Sequence, residues 1–452
     1  MKKRILYGML AAALGLNLFF GSQIYLSRVE ASGKNDAYPN IELFTRVMET
    51  IRQHYVDKTK VSYQDLVHAA IKGMVGTLDP HSEFMEPTKF VTMKDDTEGH
   101  FGGVGILVGV RTNANGSTHL VVLEPMEDTP ASRAGLLSGD RIIRISGKTT
   151  DKVTIEEAVK RLRGKPGTEV EISVFRPTNG KEWDVKLERA VIKVDSVKDL
   201  SGRREFPIGE GGIGYVRVRS FGEKTSTELE EALKKLEAQG MKGLILDLRD
   251  NSGGLLDQAV KVCEKFLPRN QLVVSTEGAG AGDKTEYRAS GRSRHPDYPM
   301  VILVNGFSAS AAEIVAGCLQ DLKRAVVLGE QTFGKGSVQS ILPMPEGTAL
   351  RLTTAKYYTP SHKVIHEKGI TPDSIVPMSP EEERLLALKR SPTGLDLLSE
   401  RERQSALDAR DVQLDRATDL LKGITLYTSP VPAKETPTAA KAAKKVADQK
   451  AK

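Results

Sequence analysis

The stretch Met300-Val301-Ile302-Leu303-Val304-Asn305-Gly306-Phe307-Ser308-Ala309-Ser310-Ala311-Ala312-Glu313 decides the fold. Five consecutive apolar residues predict a short strand buried on both faces, as in a parallel sheet. A helix is predicted directly after it, over 308–322. The alternation extends both ways. Residues 213–218 predict a strand. Leu229, Ala232, Leu233 and Leu236 follow at i, i+3, i+4 and i+7, a helix ended by Gly240. Residues 244–248 predict a strand, 255–267 a helix and 325–328 a strand, with added strands at 337–342 and 349–358. Strands taking turns with helices imply a layered α/β core.

Residues 96–190 differ. Short β-like runs at 105–110, 119–123, 141–145, 169–175 and 183–187 enclose a helical turn at 131–134 and an amphipathic helix at 155–162. This is a β-rich module of ordinary domain size. Residues 41–75 carry two helical stripes, one through Leu43, Val47 and Ile51, the other through Leu66, Ala69, Ala70 and Met74. Residues 380–425 are charged and helical. Beyond 429 the chain turns to proline, alanine and lysine, a composition of disordered tails. The expected division is 1–31, 32–95, 96–190, 191–378, 379–428 and 429–452.

The beginning of the chain is an address. Lys2, Lys3 and Arg4 precede an apolar run at 5–20 and a second patch at 24–26. A basic start before a short apolar run predicts export, to the periplasm or the outer face of a bacterial inner membrane. Val29-Glu30-Ala31 is a weak small-x-small cleavage site, and 5–26 is also long enough for a single membrane anchor. The sequence leaves cleavage open.

With 39% apolar and 27% charged residues among 452, the chain is globular. Of the net +6, the first four residues hold +3 and the tail from 433 holds +4, leaving −1 for the body. A near-neutral body with 5% aromatics gives no nucleic-acid groove. Two cysteines, Cys263 and Cys318, exclude a disulfide scaffold and a multi-cysteine metal site. Their apolar helical settings predict buried free thiols, with one disulfide the alternative in an oxidising compartment.

Three segments carry chemistry. Around Ser310, small residues let another backbone approach, and a helix N-terminus offers free N–H groups to a developing oxyanion. In Gly329-Glu330-Gln331-Thr332-Phe333-Gly334-Lys335-Gly336-Ser337, a lysine set among glycines and an aromatic loses hydration, which favours the neutral amine and makes it a general base. The resemblance to a phosphate loop fails. Gly336 stands where a magnesium-binding hydroxyl belongs, and a strand follows where a helix should. In Asp247-Leu248-Arg249-Asp250-Asn251-Ser252-Gly253-Gly254, paired glycines expose amides. Alone, these segments also fit a capped helix, a solvated loop lysine and a plain turn. Jointly they sit at strand C-terminal ends of one α/β region, where open sheets place their sites.

Together with Leu78-Asp79-Pro80-His81-Ser82 and Gly369-Ile370-Thr371-Pro372-Asp373, these segments resemble the carboxy-terminal processing (tail-specific) proteases, in the right order over about 40–378. The resemblance implies a ClpP/crotonase-like layered core and a serine–lysine peptidase needing no cofactor or metal. It puts the nucleophile on Ser310, the base on Lys335 and the lysine-orienting glutamine on Gln339. Oxyanion amides fall on Ala311 and on Gly253 or Gly254. Ala312 departs from a serine common there that is not the nucleophile. Ser308 is the competing hydroxyl, with helix capping its expected role. His81 is expected to make a structural hydrogen bond. The β-rich module resembles a PDZ domain. Phe101-Gly102-Gly103-Val104-Gly105-Ile106 looks like its carboxylate-binding loop, so Gly103, Val104, Gly105 and Ile106 are expected to hold a peptide C-terminus. Pro130-Ala131-Ser132-Arg133-Ala134-Gly135-Leu136 fits as well, whereas no helix follows the glycines as a dinucleotide loop requires.

The expected function is an exported endopeptidase acting on proteins with free, apolar C-termini. A PDZ scaffold with a dead protease core is the alternative. The resemblance also implies gating of the site by the PDZ module. An activating partner and a homo-oligomer, through 41–75 and 380–425, stay open.

Overall fold

The computed structural model describes residues 37–112, 118–126, 128–280, 282–292, 294–390, 395 and 400–428. The predicted export segment and the Pro/Ala/Lys tail lie outside these. The chain divides into two units between Phe84 and Met85.

The first unit holds α1 (Ala37–His54) and α2 (Tyr63–Gly76). The pattern across 41–75 is thus broken. Ser62 caps α2, its hydroxyl accepting from the Asp65 amide at 3.0 Å, so the chain restarts there. Leu43, Val47 and Ile51 stay exposed on α1. In the turn at Asp79, its Oδ1 accepts the amides of His81 (2.7 Å) and Ser82 (2.8 Å), and Ser82 Oγ donates to Oδ2. It is Asp79, closing an Asx turn, that organises this motif.

The second unit opens with α3 (Pro87–Glu98) and β1 (His100–Gly103). The β-rich module follows as β2 (Ile106–Thr112), β3 (Thr118–Pro125), β4 (Arg141–Ile145), α4 (Ile155–Leu162), β5 (Glu169–Arg176) and β6 (Lys181–Glu188). Its antiparallel sheet runs β2-β3-β4-β5-β6, leaving β2 at an edge. Val108, Leu120, Val122, Ile142, Ile172 and Val174 bury against Ala158 and Leu162 of α4. β7 (Ala190–Lys193) returns to pair with β1, so entry to and exit from the module form one two-stranded ribbon.

The layered core is built on β8 (Val197–Lys198), β9 (Ile213–Val218), β10 (Gly243–Asp247), β13 (Met300–Val304), β14 (Val326–Gly329) and β17 (Ser374–Ile375), in spatial order β8-β9-β10-β13-β14-β17. All neighbours are parallel except β8 with β9. Side chains alternate between faces. Val216, Leu244, Leu246, Ile302 and Val304 pack under α5 (Thr225–Ala238), α6 (Leu256–Glu264) and α7 (Ala311–Asp321). Ile213, Tyr215, Ile245, Val301 and Leu303 face Ala417 and Leu421 of α10 (Val412–Thr428). Helices on both faces explain the uninterrupted apolar runs of β10 and β13. The helical C-terminal region is three helices, α8 (Pro380–Arg390), α9 (Glu400–Asp408) and α10. Cys263 on α6 and Cys318 on α7 are buried, free and in mutual contact.

Beside this layer, β11 (Leu272–Gly278), β12 (Lys284–Arg288), β15 (Ser337–Pro343) and β16 (Ala349–Tyr358) form an antiparallel run β12-β11-β16-β15. The sequence pattern does not flag β11 and β12. β12 is polar and largely exposed, so it lacks an apolar face.

Candidate active site

β13 ends at Val304, and a six-residue loop brings the chain to α7. The predicted helix start at 308 moves to Ala311, with Ser310 as N-cap. Ser308 is therefore no helix cap. Its buried hydroxyl donates to Leu248 O (2.8 Å) and accepts from Asn305 N–H (3.0 Å), tying the ends of β10 and β13 together. With both bonds committed, Ser308 is a structural residue.

Ser310 is 5% exposed and has φ 55°, ψ −114°, a region costing a non-glycine residue about 1–3 kcal/mol. A sharp strand-to-helix turn of this kind projects a serine hydroxyl out of its backbone. Surrounding bonds hold the strain. Ala309 N–H donates to Asn251 O (2.9 Å), and Ile314 N–H to Ser310 O (3.0 Å). Gly253, at φ 101°, lies so close that a Cβ there would sit 2.7 Å from Ser310 Cβ and 3.0 Å from Ala311 N. Only glycine fits there.

Glu313 joins the serine loop to the lysine loop. It is fully buried, and its Oε2 accepts the amides of both Ser310 (2.8 Å) and Lys335 (2.9 Å). The two amide nitrogens therefore lie within 5.7 Å of each other. Its Oε1 accepts Gly334 N–H (2.7 Å) and the Thr332 hydroxyl (2.5 Å). Burial pushes the Glu313 carboxyl up, while these four donors oppose the shift. Three of its four partners are amides that only donate, and the Thr332 hydroxyl can donate too, a set that the carboxylate satisfies on both oxygens. Sequence reasoning missed this role. The signal was present as Ser310-x-x-Glu313, the spacing of a capping box.

Lys335 is half-buried. Gly336 follows with its α-carbon against the backbone of His366, where a Cβ would clash. Phe333 N–H donates to Ser308 O (3.1 Å), closing the lysine loop over the serine loop. Phe307 and Phe333 leave apolar faces exposed beside the site. Gln339, on β15, donates to Ser337 Oγ at 2.8 Å. The Ala311 amide is at the first turn of α7, where a helix has no internal partner for it. The paired glycines differ. Gly253 N–H already donates to Asn251 Oδ1 (2.8 Å), whereas Gly254 sits in a bridge with Phe221 whose bonds use Gly253 O and the Leu255 amide.

An ionic cluster lies at the end of β10. Asp247, fully buried, accepts from Tyr215 (2.6 Å) and Arg249 (2.6 Å). Burial opposes its charge, but the Arg249 guanidinium holds its carboxyl far below the usual range. Arg249 reaches on to Asp411 (2.9 Å) and Gln413 (3.0 Å), and Arg390 also pairs with Asp411. The three-helix tail is thus pinned beside the serine loop.

In the β-rich module, Gly103 ends β1, paired with Ala190, and Val104 is buried. Gly105, at φ 76°, packs on Thr129. The carbonyls of Val104 and Gly105 accept from Ala131 (3.0 Å) and Met126 (2.9 Å), which fixes this loop. Ile106 begins the edge strand β2, whose outer side can accept another strand.

Sequence comparison adds independent findings. Residues 212–376 match peptidase family S41, and 92–174 match the PDZ domain. A carboxy-terminal-processing protease of Bartonella bacilliformis is 42% identical over 371 residues, 79% of this chain and 82% of that one. A carboxyl-terminal-processing protease of Picosynechococcus sp. is 36% identical, covering 73% and 77%. Among solved structures, a putative S41 protease from Bacteroides fragilis aligns with TM-score 0.51 at 18% identity, over 84% of this chain and 97% of that one. That last likeness concerns the fold.

Proposed function

Since the chain belongs to the carboxy-terminal-processing proteases of peptidase family S41 and is a serine-type peptidase with a PDZ domain, we propose an exported endopeptidase that selects proteins by their C-terminal residues and cleaves them with Ser310 as nucleophile and Lys335 as base. The observation that carries this is the single Glu313 oxygen accepting the amides of both residues. It supports a serine and a lysine that act as a pair.

A serine hydroxyl is a weak nucleophile and needs a base. Neutral Lys335 takes the Ser310 proton as Oγ attacks the scissile carbonyl. The oxyanion meets the Ala311 amide and one from the glycine pair. Gly253 lies against Ser310 and Ala311, and its amide must first release Asn251 to serve. Lys335 then gives its proton to the leaving amine, and water hydrolyses the acyl-enzyme with Lys335 again as base. Gln339 orients the lysine. Each oxyanion donor is worth about 10²–10³ in rate. In the PDZ domain, Gly103, Val104, Gly105 and Ile106 receive the terminal carboxylate, and the peptide adds to β2 as a further strand. The apolar faces of Phe307 and Phe333 suit an unfolded substrate. Export, to the periplasm or the outer face of the inner membrane, rests on residues 1–31 of the sequence.

The test is mass spectrometry of products from an unfolded protein with an apolar C-terminus, beside the same protein with a charged one. Wild type cleaves the first faster. Ser310→Ala and Lys335→Arg cleave neither, because guanidinium stays protonated. Equal cleavage by wild type and Ser310→Ala refutes the assignment of Ser310, and no cleavage by wild type favours the scaffold.

A further inference from the structure

A buried hydroxyl near Ser310, other than the committed Ser308, belongs to Tyr357, near the end of β16 and only 4% exposed. Strand register brings it to the site. Its amide donates to Gly336 O at 2.8 Å, so its backbone lies beside the residue that follows Lys335. Its neighbour Lys356 faces Ser337 across the β15–β16 pair. Its ring joins the buried cluster that contains Ala311, Ala312 and Val315 of α7. From there its phenol neighbours the Ser310 side chain closely enough for the serine to act on its ionisation.

We propose that Tyr357 is a positioning residue for the nucleophile: its hydroxyl donates to Ser310 Oγ, fixes the serine rotamer and leaves the Ser310 proton for Lys335. This rests on the assignment of Ser310 and Lys335 above. A serine hydroxyl has one proton and two lone pairs. If the proton is to pass to Lys335, a second neighbour helps only by donating to a lone pair. Tyr357 can donate. Burial pushes its hydroxyl up to about 12, so it keeps its proton throughout the working range. As Oγ loses its own proton, negative charge grows there and the donated bond strengthens. Once Oγ is an ester oxygen, it accepts poorly and the bond weakens. The interaction is thus strongest where charge develops, which speeds the step instead of only tightening binding. No covalent bond forms to the tyrosine.

The test compares wild type, Tyr357→Phe and Ser310→Ala, each as the full chain. A fluorophosphonate reports the reactivity of the serine, a peptide gives kcat and KM, and thermal unfolding reports integrity. Losing a hydrogen bond to a charged oxygen predicts labelling and kcat of Tyr357→Phe lower by about 10–100-fold, with KM and Tm unchanged. The pH at which labelling reaches half its plateau stays in place, because the base is intact, while the plateau falls. If Tyr357→Phe labels and turns over like wild type, or faster, while Ser310→Ala does neither, the role of Tyr357 is overturned and the nucleophile stands. If Ser310→Ala labels and cleaves, the underlying assignment fails instead. Should Tyr357→Phe not fold, 3-fluorotyrosine at 357 keeps the shape and the O–H while acidifying it. A changed plateau then supports the proposal, and an identical one overturns it.

Discussion

Glu313→Gln isolates the junction between the serine and lysine loops. The side chain keeps its shape but loses one of two accepting oxygens. If the amide nitrogen takes the Oε2 position, it faces the Ser310 and Lys335 N–H groups, and two buried donors lose their acceptor. If it takes the Oε1 position, only the Gly334 amide is orphaned, because the Thr332 hydroxyl can rotate and accept. The second arrangement wins. One buried unsatisfied donor costs about 1–3 kcal/mol. The remaining bonds also lose the assistance of charge, which roughly doubles such bonds, so the total comes to about 2–4 kcal/mol. Against a typical stability of about 5–15 kcal/mol, the variant still folds. Its Lys335 loop is loosened at Gly334, and misplacing a catalytic group by ~1 Å costs about 10²-fold in kcat. Denaturant midpoints and kcat on a peptide measure the two effects. If Glu313→Gln has an unchanged midpoint and an unchanged kcat, the carboxyl is protonated in the native chain, and the ionised hub argued above is wrong.

Three further outcomes follow from the same structure. Ser308→Ala removes the bonds to Leu248 O and Asn305 N–H, costing about 1–3 kcal/mol in chemical unfolding, yet the folded fraction keeps its kcat; a dead but stable variant would make Ser308 the nucleophile. Burial and the neighbouring Cys318 thiol push the Cys263 thiol up, and both thiols are buried away from reagent, so neither cysteine reacts with a thiol reagent until denaturant is added, and labelling of the native chain counts against this packing. Burial pushes the Glu230 carboxyl up, but Lys265 and His295 outweigh it and bring it to about 2. The stability it supplies is whole above the ordinary value of 4.5 and is lost as pH falls from there toward 2. Glu230→Gln should flatten that acid limb of a stability–pH curve, and an unaltered limb disproves the pairing.

Local pattern carried much of this molecule. Runs such as 300–304 and the spacing of Leu229, Leu233 and Leu236 are short-range signals, and the strands and helices formed there. The three chemical segments converge because parallel strands end on one side of a sheet. Hidden from the sequence were partnerships spanning long stretches of chain. Tyr357 follows Ser310 by many residues and reaches it only through the register of β15 with β16. Asp411 meets Arg249 across a separation of 162 residues. β11 and β12 pair through their backbones and show no periodic face. Helix boundaries moved by a few residues where a bond, such as that of Ser308 to Leu248 O, took precedence over helix propensity.

The Arg249–Asp411 pair makes the segment around residue 411 a foundation stone for the candidate site. Clipping the polypeptide upstream of 411 would take away one of the two carboxylates that hold Arg249, leaving it Asp247 alone, and strip the cover from Tyr215, Ile245, Val301 and Leu303. Residues 411–428 are thus a part of the fold that this protein cannot spare.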